Sequence, residues 1–381
     1  MKERILITGG AGFIGLNLTE KLLSKGYLIT IIDDLSPQIH GDIPSISSIL
    51  LNKSVNFIRG SLINRKILRT ALKDVSYIFH LAAETGTGQS MYEIAKYINT
   101  NSTGTAILLE EIALLNNQIK KIVLASSRSI YGEGAYLCKK CDPQNRLYPI
   151  SRSTINLNNK KWEHLCSKCN SPLSPIPTKE SDNINPISIY ASTKHNQEQI
   201  MKIFCESFNI DFNILRFQNV YGNGQSLKNP YTGIISIFSN RLRHKKKLLV
   251  FEDGKETRDF VHINDVVNSL TICLESLPIK YRIMNIGSGV STSVYDIAKI
   301  LKNVFNSSSQ IEINNQYRIG DIRHNFADNN LIKELINDFP SVNIENGLLM
   351  FGGWVKNQPL NKDLSSEANL EMKNKGLLKN G

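Results

Sequence analysis

A chain of 381 residues, 41% hydrophobic and 21% charged, has room for a large core and two domains, and its composition is neither fibrous nor disordered. The formal charge of +11 is spread out, concentrating locally at 241–247 and after Asn361, so anionic partners are expected and nucleotide phosphates would serve as well as nucleic acid. No stretch reaches the ~20 apolar residues of a membrane span, and Met1-Lys2-Glu3-Arg4 opens into an apolar run too short for a secretory signal, which points to a cytoplasmic protein without a membrane partner.

Ile5-Leu6-Ile7 reads as a buried parallel strand entering Thr8-Gly9-Gly10-Ala11-Gly12-Phe13-Ile14-Gly15, followed by amphipathic helical spacing over 16–25. Glycine is required in such a turn because the backbone must double back and let a pyrophosphate reach the N–H groups of the helix N-terminus. A second strand, 28–32, ends at Asp33, ~18 residues past the last glycine, where a carboxylate can bind an adenosine ribose and would repel a 2′-phosphate. NAD is therefore expected, with Gly9, Gly12, Phe13, Ile14, Gly15 and Asp33 as contacts.

Further strand patterns at Val55–Arg59, 77–81 and 121–126 alternate with helical stretches at 63–72 and 103–115, the βαβα order of an α/β Rossmann fold with a doubly wound parallel sheet. Ligands of such sheets bind beyond the carboxyl ends of the strands. The chain places Ala82-Ala83-Glu84-Thr85, Ser126-Ser127-Arg128 and residues 216–221 there.

Between Ser127 and Tyr190 stand two C-x-x-C knuckles, Cys138-Lys139-Lys140-Cys141 and Cys166-Ser167-Lys168-Cys169, with 24 residues between them. Each can turn two thiolates onto one tetrahedral ion, so a closed, structural Cys₄ zinc site is expected; a redox dithiol or unligated thiols are the alternatives. Trp162 is expected to pack on this ribbon and His164 to be exposed, while Cys205 and Cys273 read as isolated core residues. Downstream, Tyr190-Ala191-Ser192-Thr193-Lys194 sets a phenol and an ammonium one helical turn apart, and a neighbouring cation favours the phenolate of a group that ordinarily titrates near ~10.

These motifs, together with His80-Leu81-Ala82-Ala83, Asn101-Ser102-Thr103-Gly104-Thr105, Tyr131-Gly132, Asn219-Val220-Tyr221-Gly222, Arg258-Asp259-Phe260-Val261-His262, Asn285-Ile286-Gly287 and Gly320-Asp321-Ile322-Arg323, resemble the extended short-chain dehydrogenase/reductases that act on nucleotide sugars. The resemblance covers nearly the whole chain. It implies Tyr190 as general base, Lys194 as the cation that lowers its pKa and holds the nicotinamide ribose, and Ser127 as partner of the reacting hydroxyl. It also implies cofactor contacts at Ser61, Leu62, Leu81, Ala82, Ala83 and Asn101. Substrate contacts are implied at Thr85, Gln89, Ser127, Arg128, Asn219, Arg258, Arg318 and Asp321, with Ser90 beside the sugar.

Where dehydratases of the family show Thr-Asp-Glu, this chain has Ser127-Arg128-Ser129, so elimination of water is not expected and reversible oxidation at C4, a 4-epimerisation, is. Arg128 could pair with the substrate or the insert, or face solvent. Ser61 replaces an Asp that commonly contacts adenine, and Gln218 replaces an aromatic. The stretches 84–91 and 229–234, with the cysteine insert, resemble O-antigen enzymes of the group. A homodimer is implied, and nucleic acid is not an expected partner. The competing readings are a nucleotide-sugar 4-keto reductase or dehydrogenase, and a non-enzymatic NAD- or nucleic-acid-binding scaffold resting on the ribbon and the positive charge. The expected domains are 1–137 with 178–217 and a return at 255–275 for NAD; 138–177 for the zinc insert; 218–254 with 276–357 for a smaller C-terminal substrate-binding domain; and 358–381 as a mobile tail.

Overall fold

Apolar runs too short for helices and bounded by turns form one parallel sheet of seven strands: β1 (Arg4–Thr8), β2 (Leu28–Asp33), β3 (Val55–Arg59), β4 (Val75–His80), β5 (Lys121–Ser127), β6 (Asp211–Phe217) and β7 (Ile283–Ile286). Their order across the sheet is β7-β6-β5-β4-β1-β2-β3, so the winding reverses between β1 and β4 and a crevice opens beyond their carboxyl ends. A computed structural model of the chain describes residues 3–41, 47–115, 118–231, 233–275 and 282–381. Met1, Lys2, Thr232 and the boundary expected at 276 lie outside the described residues.

Successive side chains of β1 serve opposite layers, as a period of two requires. Ile5 and Ile7 enter a core with Leu18 and Leu22 of α1 (Phe13–Ser24) and with Val266 and Leu270, whereas Leu6 enters the other core with Leu108, Ile112 and Met201. Within that second layer runs α2 (Ile189–Phe208), started by Ser188, whose hydroxyl accepts from Ala191 N, and stopped by Asn209 in the left-handed region. Ala191, Lys194, Glu198, Met201 and Cys205 form its buried stripe, so the helix carries its charged groups inward near its start. A third core, with Phe238, Leu248, Val250, Leu301 and Phe351, is built from the segments expected to form the substrate-side domain, and Phe260, expected on the NAD side, joins it.

The cysteine segment folds as a three-stranded antiparallel ribbon, Ala135–Cys138 lying between Asp142–Leu147 and Ser174–Ile176, so it begins before Cys138. Its own core is small: Tyr136, Cys138, Cys166 and Leu173. Two expectations fail here. Trp162 packs against Tyr317 and Leu157 of a separate cluster, not on the ribbon. His164 is buried, 3.2 Å from Glu133 Oε2, because the buried Glu133 carboxylate needs a partner.

A further ionic group fastens the insert to the body. Arg323, fully buried, donates to Glu163 (2.6 Å), Glu252 (2.9 Å) and Asp253 (2.7 Å), and Arg152 pairs with Glu252 at 2.7 Å. Removing one member of such a network strands a buried charge at a cost of about 3–5 kcal/mol, so it fixes the insert in one place.

The last two dozen residues are not a loose tail. Helix α3 (Ser365–Asn374) buries Ser365, Ala368 and Met372 on one face, and Leu378–Asn380 pairs antiparallel with Gln316–Arg318. That i, i+3, i+7 stripe is sparse, and the polar residues around it mask the periodicity. Among the described residues no helix is long and apolar enough to cross a membrane.

Candidate active site

The turn after β1 can be built only from glycine at two places. A Cβ on Gly9, whose φ is +67°, would sit 2.8 Å from Ala82 Cα, and one on Gly15 would sit 2.5 Å from Gly10 Cα. Gly12, the N-cap of α1, offers no side-chain cap, so the first N–H groups of the helix face the crevice. Asp33 braces this turn: Oδ2 accepts from Ala11 N at 3.0 Å and Oδ1 from Leu35 N at 2.9 Å. Burial pushes the Asp33 carboxyl up, and those N–H groups with His40 oppose it. Gly9, Gly12, Phe13, Ile14, Gly15, Asp33, Ser61, Leu62, Leu81, Ala82 and Ala83 all line this cleft, as the sequence predicts. Gln38, from the short helix Pro37–His40, and Gln225 and Ser226 join them without a sequence signature, and Asn229 joins them from the stretch 229–234. The exposed helix N-terminus, the glycine cradle and the carboxylate at the end of β2 fit a dinucleotide.

Asn101 does not line the cleft. Fully buried, its Oδ1 accepts from Glu84 N, and its Nδ2 donates to Glu84 O and Thr193 Oγ1, so it locks the loop after β4 to α2. Gln89 likewise is buried in paired amide bonds with Gln38 at 2.9 Å and does not face the substrate pocket. Thr85 lines the cofactor cleft, and Ser90 Oγ accepts from Tyr190 N at 3.1 Å, holding the first turn of α2.

At the end of β5 the Ser127 hydroxyl accepts from Ser129 N at 3.2 Å and lies near enough to the Tyr190 phenol to favour its ionised form, and Tyr97 meets the Tyr190 ring edge-on at 6.4 Å. Burial raises the Tyr190 phenol, while the Ser127 hydroxyl and the Arg128 charge pull it down. The Lys194 ammonium is turned to the backbone behind the phenol. Its Nζ donates to Ala125 O (2.7 Å) and Gln197 Oε1 (2.9 Å), and burial brings its pKa down to about 7. Gln197 in turn bonds Thr105 Oγ1, which bonds His80, itself bonded to Thr8. This buried chain behind the site, unmarked in the sequence except as separate motifs, seats Lys194 against the strand that lines the cleft.

Arg128 faces the second pocket, not the insert. Its Nε donates to Asn219 Oδ1 at 3.2 Å, and burial with the nearby Arg258 lowers its pKa to about 9. Asn219, Arg258, Arg318 and Asp321 line the same pocket. Arg258 is pinned by the carbonyls of Thr257, Ile322 and Arg323, and Arg318 lies over the Phe251 ring at 4.7 Å with Nε unpartnered. Four guanidinium groups line this pocket beside the carboxylates of Glu252, Glu256 and Asp321; Arg241 is paired with Asp363, while Arg128, Arg258 and Arg318, in no ion pair among the described residues, make a receptor for a polyanion such as a diphosphate.

A dinucleotide cleft at the switch point of a parallel sheet, with a Ser/Tyr pair and a buried Lys at its end and an arginine-lined pocket adjoining, defines a nicotinamide-dependent enzyme acting on an anionic alcohol. Residues 5–287 match the NAD dependent epimerase/dehydratase family, and the chain belongs to it. The dTDP-L-rhamnose 4-epimerase of Burkholderia thailandensis is 33% identical over 93% of this chain and 95% of its own length. Among solved structures, UDP-glucose 4-epimerase of Thermotoga maritima with UDP-glucose superposes with a TM-score of 0.74 at 27% identity, covering 93% of this chain and 98% of that one. UDP-glucuronic acid 4-epimerase of Bacillus cereus, in complex with UDP-glucuronic acid and NAD, gives 0.72 at 26% identity, covering 93% and 99%.

Proposed function

We propose that this chain is an NAD-dependent nucleotide-sugar 4-epimerase, an isomerase, acting on dTDP-L-rhamnose or a related sugar of surface-polysaccharide synthesis. The observation that carries the reading is the Ser127–Tyr190 hydroxyl pair, with Ser127 standing on β5 between Ala125, which lines the dinucleotide cleft, and Arg128, which lines the arginine pocket. NAD, when bound, supplies the hydride acceptor and donor. Tyr190 takes the proton of the C4 hydroxyl and later returns it, Ser127 holds that oxygen, and Arg128, Arg258 and Arg318 hold the diphosphate while the keto sugar turns its other face. Ser127-Arg128-Ser129 offers no carboxylate pair, which supports epimerisation over dehydration.

The same reading places one structural zinc on Cys138, Cys141, Cys166 and Cys169. The four Sγ atoms lie within 4.8 Å of one another, with separations of 3.4 to 3.5 Å along three pairs. A disulfide needs ~2.05 Å, whereas a Zn–S bond of ~2.3 Å gives a tetrahedral edge near ~3.7 Å, so the set fits zinc. We place the enzyme in the cytoplasm as a homodimer. Incubated with a panel of nucleotide sugars, the purified protein interconverts two 4-epimers with no added reductant. Failure on every sugar would remove the reading, and stoichiometric loss of absorbance at 340 nm with added NADH would turn it into a keto reductase.

A further inference from the structure

We propose that α3 is a strap closing the nucleotide-sugar pocket and that Asn369 on it selects the nucleobase, reading the hydrogen-bonding edge of a uracil or thymine. The inference rests on the nucleotide-sugar reading above and deepens it.

The strap spans the molecule. Its start is moored to the substrate-side domain, where Arg241 Nη1 donates to Ser365 Oγ at 2.9 Å. Its middle crosses the pocket, and its far end meets the loop after β4, where a Cβ on Gly88 would stand 3.2 Å from Met372 Sδ and Lys375 lies 5.6 Å over the Tyr92 ring. Tyr231, another pocket residue, donates to Glu371. Beyond it the strand Leu378–Asn380 is laid on Gln316–Arg318, the strand that presents Arg318.

Ser365 and Asn369 are the strap residues that line the pocket. Asn369 Oδ1 accepts from Arg318 Nη2 at 3.1 Å, so the amide is directed to the same wall as the guanidinium and the Phe251 face beneath it. The guanidinium already covers the Phe251 face and offers its own plane to a base, while the carboxamide beside it, oriented by accepting from Arg318, offers one donor and one acceptor in fixed order. Uracil and thymine present the complement, a carbonyl O4 next to N3–H. Cytosine presents the opposite pair, N4–H₂ next to N3, which a carboxylate satisfies in part.

The test is calorimetric binding of UDP, dTDP and CDP to the NAD-loaded full chain, the Asn369→Ala variant and the Asn369→Asp variant. Asn369→Ala weakens UDP and dTDP by ~10-fold, as loss of a bidentate pair does, and leaves bound NAD unchanged. Asn369→Asp weakens them further and narrows the preference over CDP, a shift that a merely structural role would not produce. Equal binding by all three proteins, or a loss that is the same for the three nucleotides, overturns the strap's role. No binding of any nucleoside diphosphate by the unaltered protein overturns the nucleotide-sugar reading itself.

Discussion

Arg128 is the cation that opposes burial at the Tyr190 phenol, and its Nε is anchored on Asn219 Oδ1 at 3.2 Å. The guanidinium therefore links the Tyr190 phenol to the arginine-lined pocket. One side chain can hold the substrate and keep Tyr190 within reach of ionisation.

Replacing Arg128 with Met removes both effects. Since the phenolate is the base, loss of the cation raises the Tyr190 pKa, and the rising limb of the kcat/KM profile moves to higher pH. KM for the nucleotide sugar rises by ~10-fold as a charged hydrogen bond is lost. Arg128→Lys restores the limb more than the KM, because an ammonium keeps the charge but not the fork. A pH profile unmoved in Arg128→Met would rule out Arg128 as the group that tunes Tyr190.

Tyr190→Phe keeps the ring packed against Tyr97 and deletes the acid–base group. Turnover falls by ~10² to 10⁴-fold, the usual worth of a positioned proton-transfer group, while NAD released on denaturation stays at the level of the unaltered protein. Full activity in this variant would exclude Tyr190 as the base.

The sheet, the glycine turn and the Ser127/Tyr190 pair were legible in the sequence because each depends on local residue chemistry: glycine where a Cβ cannot fit, apolar runs between turns, a hydroxyl at a strand end. The partners of Lys194 are not legible, because the spacing to Tyr190 is necessary for a contact and does not compel one; Ala125 O and Gln197, fixed by tertiary packing, take the ammonium. Asn101 and Gln89 read in the sequence as ligand contacts because an amide satisfied by backbone, as Asn101 is, or by another side chain, as Gln89 is by Gln38, looks the same there as one waiting for a cofactor. The strap is invisible in the sequence because its buried face holds only two apolar residues, Ala368 and Met372, and its partners, Arg241, Tyr231 and Arg318, lie far off in the chain.

The four-thiolate site predicts about one zinc per chain by plasma mass spectrometry, lost in Cys141→Ser and Cys169→Ser. Because the ribbon's own core is only a few side chains, metal loss loosens it, and the melting temperature falls by ~5–10 °C. Slower proteolysis of residues 138–177 in the zinc-loaded protein than in protein stripped with a strong chelator checks the same point. Equal resistance in both would mean that the buried Arg323 network alone holds the insert.

Glu256 gives a stability prediction of defined sign. Burial raises its carboxyl to about 8, and one oxygen is unpartnered, with Arg323 3.9 Å away. Unfolded, the same group titrates near ~4.3, so between roughly pH 4.5 and 8 the native state binds more protons than the unfolded state and stability falls as pH rises. Above about 8 the carboxyl is ionised in both states and the loss is complete. Glu256→Gln removes this titration. Relative to the unaltered protein the variant therefore gains stability from pH 5 to pH 8 and gains no more beyond, as read from urea midpoints at pH 5, 6.5, 8 and 9. A stability difference that stays constant across those four values would mean that Glu256 is ionised throughout, paired with Arg323 after a small closure of their 3.9 Å gap.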